Sequence, residues 1–332
     1  MYHRIMREAL AESSKIAVLL PSTNFGVSRE SGEETSSLET RGMKAGCARG
    51  EKGVGERVRA ALRPMHALHV YGAVGIAVFG WSLGRWAGFD STPLLPLWLA
   101  GALLVYNLDR LKRDPADWVN TPERVSAHRT LRGWSWLLAG LGAVVLVAWP
   151  LWTGDAGLLV LIGVALPLSL SYTFPLLGQR MKDVPVVKTL FAPLVVLAAV
   201  LGPPVLLQGL AVSPALMLAA GWSWALLMFN MVLCDLRDID GDRALGTRSL
   251  PVLLGRKGTH GLLWALIAAG TGCAAIHGWP VLACCTVALL GPLALAAQWR
   301  QDEGFYEWLA EGTLFLPALV DLGKHLAHRL AA

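Results

Sequence analysis

The sequence predicts an all-α, polytopic membrane bundle of about nine transmembrane helices, and three observations predict it. Of 332 residues, 54% are hydrophobic and only 16% charged, against about 25% charged in an ordinary soluble domain. The mean hydropathy is +0.49. The apolar residues also gather into runs of roughly 20, the length a helix needs to cross a ~30 Å hydrocarbon core. Such a chain is an integral, multi-pass protein whose first partner is the lipid bilayer.

The elements follow in order. Residues 1–60 are polar and rich in Gly, Ser and Glu, so they read as a disordered tail with too little apolar surface to order itself. The patch Ile16–Leu20 is too short for the apolar region of a secretory signal, and Met43 and Met65 are alternative starts. The membrane domain reads as 61–332. Its candidate spans are 66–84, 92–108, 131–152, 156–174, 188–207, 212–234, 259–277, 280–298 and 305–325. Glu307, Glu311 and Asp321 interrupt the ninth, and Trp279-Pro280 suits a tight turn between the seventh and eighth.

Loop charges orient the bundle. The loop after span two carries Arg110, Lys112, Arg113, Arg124 and Arg129. The loop after span four carries Arg180, Lys182 and Lys188, and the one after span six carries Arg237, Arg243, Arg248, Arg256 and Lys257. The loops after spans three, five and seven carry no Lys or Arg. The positive-inside rule then makes the N-terminus and the even-numbered loops cytoplasmic. Much of the net charge of +5 is therefore topological, and no basic, aromatic-interleaved surface for nucleic acid is present. The five cysteines show no disulfide framework and no zinc spacing.

The chemistry lies in those three loops. After span six runs CDLRDIDGDRALGTRSLPVLLG, residues 234–255, with four carboxylates, Asp235, Asp238, Asp240 and Asp242, at the end of an apolar segment. Charge beside a bilayer is costly and tends to be kept for function. At helical spacing Asp235, Asp238 and Asp242 share one face. Like charges so close call for a cation between them, and carboxylate oxygens are the ligands Mg²⁺ prefers. The loop after span two, YNLDRLKRDPADWVNTPERV, places Asp109, Arg113 and Asp117 at i, i+4 and i+8, although Pro115 disfavours one unbroken helix there. The loop after span four, YTFPLLGQRMKDVPVVK, offers Tyr172 and then spaced cations. All three follow even-numbered spans, so they share one side of the membrane. Together they suit a lipid diphosphate, its charge held by metal, Arg and Lys and its apolar tail in the bundle.

Residues 234–255 resemble the second aspartate motif of the UbiA superfamily of intramembrane prenyltransferases, including the Asp-Gly-Asp-Arg core and the following Ser-Leu-Pro-Val. Tyr172 to Lys188 resembles that family's Tyr-and-basic loop. The likeness spans roughly residues 60–325 in layout and three short stretches in sequence. It implies a helical bundle open laterally to lipid, Mg²⁺-assisted ionisation of a prenyl diphosphate donor, and transfer of the prenyl group to a hydrophobic acceptor. Asp109, Asp117, Asp235, Asp238 and Asp242 are then the metal-ligating candidates. Arg113, Arg124, Arg180, Lys188 and Arg243 are the diphosphate-binding candidates, and Tyr172 and Lys182 the catalytic ones. Tyr172, Trp222, Trp224 and Phe229 are candidates to face the allylic cation.

The first motif departs from the family, whose members show Asn, Asp and Asp at spacing four before an Asn and a Pro. Anchored on Asn120-Thr121-Pro122, Asp117 takes the last acidic position, Asp109 the Asn, and Arg113 the middle position, where it cannot ligate a metal. Other registers pair Asp109 with Asp114, or insert a turn. A second reading, suggested by Arg113, is a non-catalytic membrane protein that binds lipid diphosphates. A transporter would carry its acids at mid-span rather than at span ends. The acceptor, whether a quinone-precursor aromatic or another lipid, is set by pocket shape that the sequence does not display.

Overall fold

The apolar runs become helices joined by short turns. A computed structural model describes residues 54–112, 115–176, 178–300 and 302–331, with no strand among them. Helices α1 (Val54–Ala67) and α2 (Val70–Ala87) are followed by α3 (Leu95–Leu111), then by two loop helices, α4 (Pro115–Asn120) and α5 (Pro122–Thr130). Next come α6 (Arg132–Thr153), α7 (Ala156–Ser171), α8 (Val187–Leu206) and α9 (Pro214–Arg237). The short α10 (Ile239–Ala244) precedes α11 (Leu250–Ile276) and α12 (Pro280–Ala296). The last segment runs through α, π and 3-10 turns from Glu303 to Phe315 before α13 (Leu316–Ala331). All described residues fall in one compact unit, Lys52–Ala332.

Among the described residues, five helices are long and apolar enough to cross a membrane, or six if α1 and α2 count as one bent span. Helices α7 and α12 are apolar but shorter. Local chemistry sets the ends. Asp155 caps α7 by accepting from Leu158 N–H, and Ser213 caps α9 by accepting from Leu216 N–H ahead of Pro214. Gly278, in the left-handed region, turns the chain before Pro280 opens α12. The outer face of α6 exposes Trp136, Leu137, Leu141, Val144, Val147 and Leu151. In water that would be a large unpartnered apolar patch; in a bilayer it is the face lipid covers.

Three boundaries differ from expectation. The expected tail falls outside the described residues up to residue 53, and from Val54 the chain is helical because α1 packs on α5, a tertiary contact that tail composition cannot reveal. Helix α11 starts at Leu250 rather than near 259, and Gly255 (φ 68°) breaks it, so the charged Arg256-Lys257 pair sits inside a kinked helix and not in a loop. The ninth segment is broken where Asn230 Nδ2 donates to Ala310 O and Thr313 Oγ1, a π-to-3-10 passage of the kind that marks functional or strained sites.

Candidate active site

The three even-numbered loops meet at one end of the bundle. Asp109 and Arg110 end α3, and Asp117 and Asn120 lie on α4. Lys188 and Thr189 open α8, Asp235 and Arg237 close α9, Asp238 is the joint, and Asp242 sits on α10. Helices α4 and α10 pack together so tightly that a Cβ on Gly241 would collide with the side-chain amide of Asn120. Gly241→Ala should therefore cost about 1–3 kcal/mol as an overpacked contact. Thermal unfolding checks this, and Asn120→Ala in the same chain should restore the lost stability. On the other side, Val186 N–H donates to Arg248 O at 2.9 Å, tying the second loop to the third. Val186 holds φ 67°, an uncommon conformation for a β-branched residue, immediately before α8 begins.

Within this frame acids and bases alternate. Lys188 Nζ lies 2.6 Å from Asp242 Oδ2 and 3.3 Å from Asp235 Oδ1. Thr189 Oγ1 donates to Asp235 Oδ2 at 2.6 Å and accepts from Leu250 N–H at 3.2 Å. Asp235 and Asp242 are 2% and 1% exposed, so their charges are compensated by these partners rather than by water. Arg237 grips both oxygens of Asp238, at 2.7 and 3.1 Å. Across the site Asp109 accepts from Thr173 Oγ1 at 2.6 Å and pairs with Lys182 Nζ at 3.3 Å. Arg110 pairs with Asp117 at 2.7 Å and donates through Nε to His69 Nε2.

These neighbours set the ionisation of the groups outside the spans. Burial alone would raise the Asp238 carboxyl, but the Arg237 guanidinium outweighs it and holds the group below its ordinary value. Burial raises the Asp242 carboxyl, against the opposing pull of Lys188. The Tyr172 hydroxyl is pushed well above the ordinary phenol range by burial, opposed by Lys188 and reinforced by Asp235, Asp109 and Asp242. It therefore stays a neutral donor among both halves of the site. Its ring stacks on Phe191, and Lys182 Nζ lies 6.0 Å from its centroid.

Among the described residues no three His, Cys, Asp or Glu side chains converge as a ready-made metal cage. The donor chemistry nonetheless fits Mg²⁺: hard carboxylate oxygens on successive turns, two of which already share one cation, the Lys188 ammonium. The position between Asp235 and Asp242 is thus built for positive charge.

The site gathers Asp109, Asp117, Tyr172, Lys182, Lys188, Asp235, Asp238 and Asp242. It does not gather Arg124, Arg180, Arg243, Trp222 or Phe229. Arg124 is 3% exposed and bound to Glu311 at 2.7 Å, with Glu307 at 3.9 Å. Arg180 forks onto Asp183 in the exposed second loop, and Arg243 is 59% exposed beside Asp240. Trp222 and Phe229 are buried in the core, Trp222 donating to Thr286 Oγ1. Arg113 and Asp114 lie outside the described residues. Sequence reasoning missed Thr189, Arg110 as a partner of Asp117, and Arg237 as the clamp on Asp238. Each neighbours a residue it did select, and adjacency was the available signal.

Apolar helices with acids and lysines interleaved at one mouth are the arrangement of an intramembrane protein with a charged site at the end of its bundle. The family model described as "UbiA prenyltransferase family" matches residues 109–304, more than half of the chain. The chain belongs to the UbiA prenyltransferase family, whose members are intramembrane prenyltransferases. The apo structure of a UbiA homolog from Aeropyrum pernix K1 is similar in fold, with a TM-score of 0.56 at 19% identity over 77% of this chain and 98% of that one. No curated protein matches the chain.

Proposed function

We propose that this protein transfers a prenyl group from a prenyl diphosphate to a hydrophobic acceptor in an Mg²⁺-dependent reaction at the cytoplasmic mouth of the bundle. The observation that carries the reading is the interleaving of Lys188 with Asp235 and Asp242, and of Lys182 with Asp109. Asp235, Asp238 and Asp242, with Asp109 and Asp117 opposite, are the residues that would hold the metal. When bound, Mg²⁺ supplies Lewis-acid compensation for the charge that builds on the departing diphosphate.

The chain's own residues do the rest. Lys182 and Lys188 are ammonium donors on flexible stems and can follow diphosphate oxygens as charge develops there. Tyr172, neutral and half-buried, offers a hydroxyl to the same group and an aromatic face to the allylic cation. Burial of Asp235, Asp242 and Thr189 keeps water from a centre where it would convert the cation to an alcohol.

The test uses the full chain in lipid nanodiscs, with a panel of prenyl diphosphates of different length, aromatic and lipid acceptors, and Mg²⁺. Diphosphate release that needs both metal and acceptor is the expected result. Binding without release under every acceptor would favour the alternative of a non-catalytic lipid-diphosphate binder, the reading that Arg113 at a ligand position suggests.

A further inference from the structure

Lys188 is in an unusual place for a residue whose task is to hold a diphosphate. Its ammonium lies on two carboxylates, Asp242 at 2.6 Å and Asp235 at 3.3 Å, where a divalent cation would have to sit. The two cannot share that space, because like charges repel there with little water to screen them. We propose that Lys188 is a displaceable internal counterion: it closes the Asp235–Asp242 pair while no donor is bound, and a diphosphate draws it off and opens the pair to a divalent cation. The inference rests on the reading above that these acids hold metal together with a diphosphate.

Three observations support a moving side chain on a fixed backbone. The chain is pinned on both sides of Lys188, by Val186 N–H to Arg248 O and by Thr189 Oγ1 to Asp235 and Leu250. The stem is four rotatable carbons ending in a point charge, unlike the planar fork with which Arg237 grips Asp238 at two points. Finally, Tyr172 and Lys182 stand beside the same charges, so a diphosphate entering there meets Lys188 with a better-matched anion than either buried carboxylate.

Linkage then requires metal and diphosphate to bind with positive coupling, within the 5–150-fold range common for coupled sites, roughly tenfold or more. Mn²⁺ binding to the full chain is measured by electron paramagnetic resonance, with and without inorganic diphosphate, and corrected for Mn²⁺–diphosphate complexes in solution. The natural protein should bind Mn²⁺ about tenfold more tightly with diphosphate present. Lys188→Met, which keeps the apolar stem, should bind Mn²⁺ alone about tenfold more tightly than the natural protein and lose the coupling. A gain in metal affinity is not a result that misfolding produces. Equal Mn²⁺ affinity of the natural protein with and without diphosphate overturns the counterion role while leaving the metal reading intact. Absence of Mn²⁺ binding under both conditions overturns both.

Discussion

Asp238→Asn is expected to reduce diphosphate release by about 10²-fold or more while the chain still folds. Metal-assisted charge compensation is worth several kcal/mol of barrier, and each 1.36 kcal/mol is about a factor of ten in rate. Asparagine preserves the shape and one acceptor for Arg237, so the joint between α9 and α10 survives. The lost charge is the one that Arg237 now holds fully ionised. Asp240→Asn is the informative comparison. Asp240 is one of the same four acids, yet its side chain is 67% exposed and paired, among the described residues, with Arg256 and Arg243 on the surface. Its loss should change the rate by less than about twofold, because exposed pairs contribute little. Initial rates of both variants, at saturating donor, decide the matter. Equal losses would mean that the acidic run acts as a general negative patch rather than as three aimed ligands.

That contrast shows how far the sequence could be read. Hydropathy and loop charge were enough for a polytopic helical bundle, since a run of apolar residues allows little else in lipid. The acidic run was legible because charge at a span end is costly enough to be informative. Helical spacing groups Asp235, Asp238 and Asp242 apart from Asp240; in the structure Asp235 and Asp242 share Lys188, whereas Asp240 is exposed. What spacing could not supply was the partner of each charge. Arg124 shares a loop with Asp109 and Asp117, which in sequence places it among the diphosphate cations, yet α5 carries it to the last segment instead. Glu307 and Glu311, read as flaws in a ninth span, are the acids that meet it. Partnership across 187 residues is a tertiary property, and periodicity within one helix holds no record of it.

The Arg124–Glu311 pair yields the largest stability effect. Arg124 is 3% exposed, and among the described residues its close carboxylate is Glu311 at 2.7 Å, the nearest oxygen of Glu307 being 3.9 Å away. A guanidinium has no neutral form to retreat to, so Glu311→Ala leaves a buried charge poorly compensated. Breaking one side of such a pair costs about 3–5 kcal/mol. The cost has a further source here. Glu311 begins the 3-10 turn that follows the π turn, and its second oxygen lies 3.7 Å from buried His66. One deletion therefore loosens α1, α5 and the last segment together. Arg124→Met with Glu311→Leu removes both charges and keeps apolar volume, so it should recover most of the loss. A double-mutant cycle of Arg124→Met, Glu311→Leu and their combination, on thermal unfolding in detergent, measures the coupling. The same variants discriminate between the two roles for Arg124. If it held diphosphate, Arg124→Met would weaken diphosphate binding directly and Glu311→Ala, freeing the guanidinium, would strengthen it. If it is the clamp between α5 and the last segment, both single variants lower the unfolding temperature, and the double variant binds diphosphate as the natural protein does.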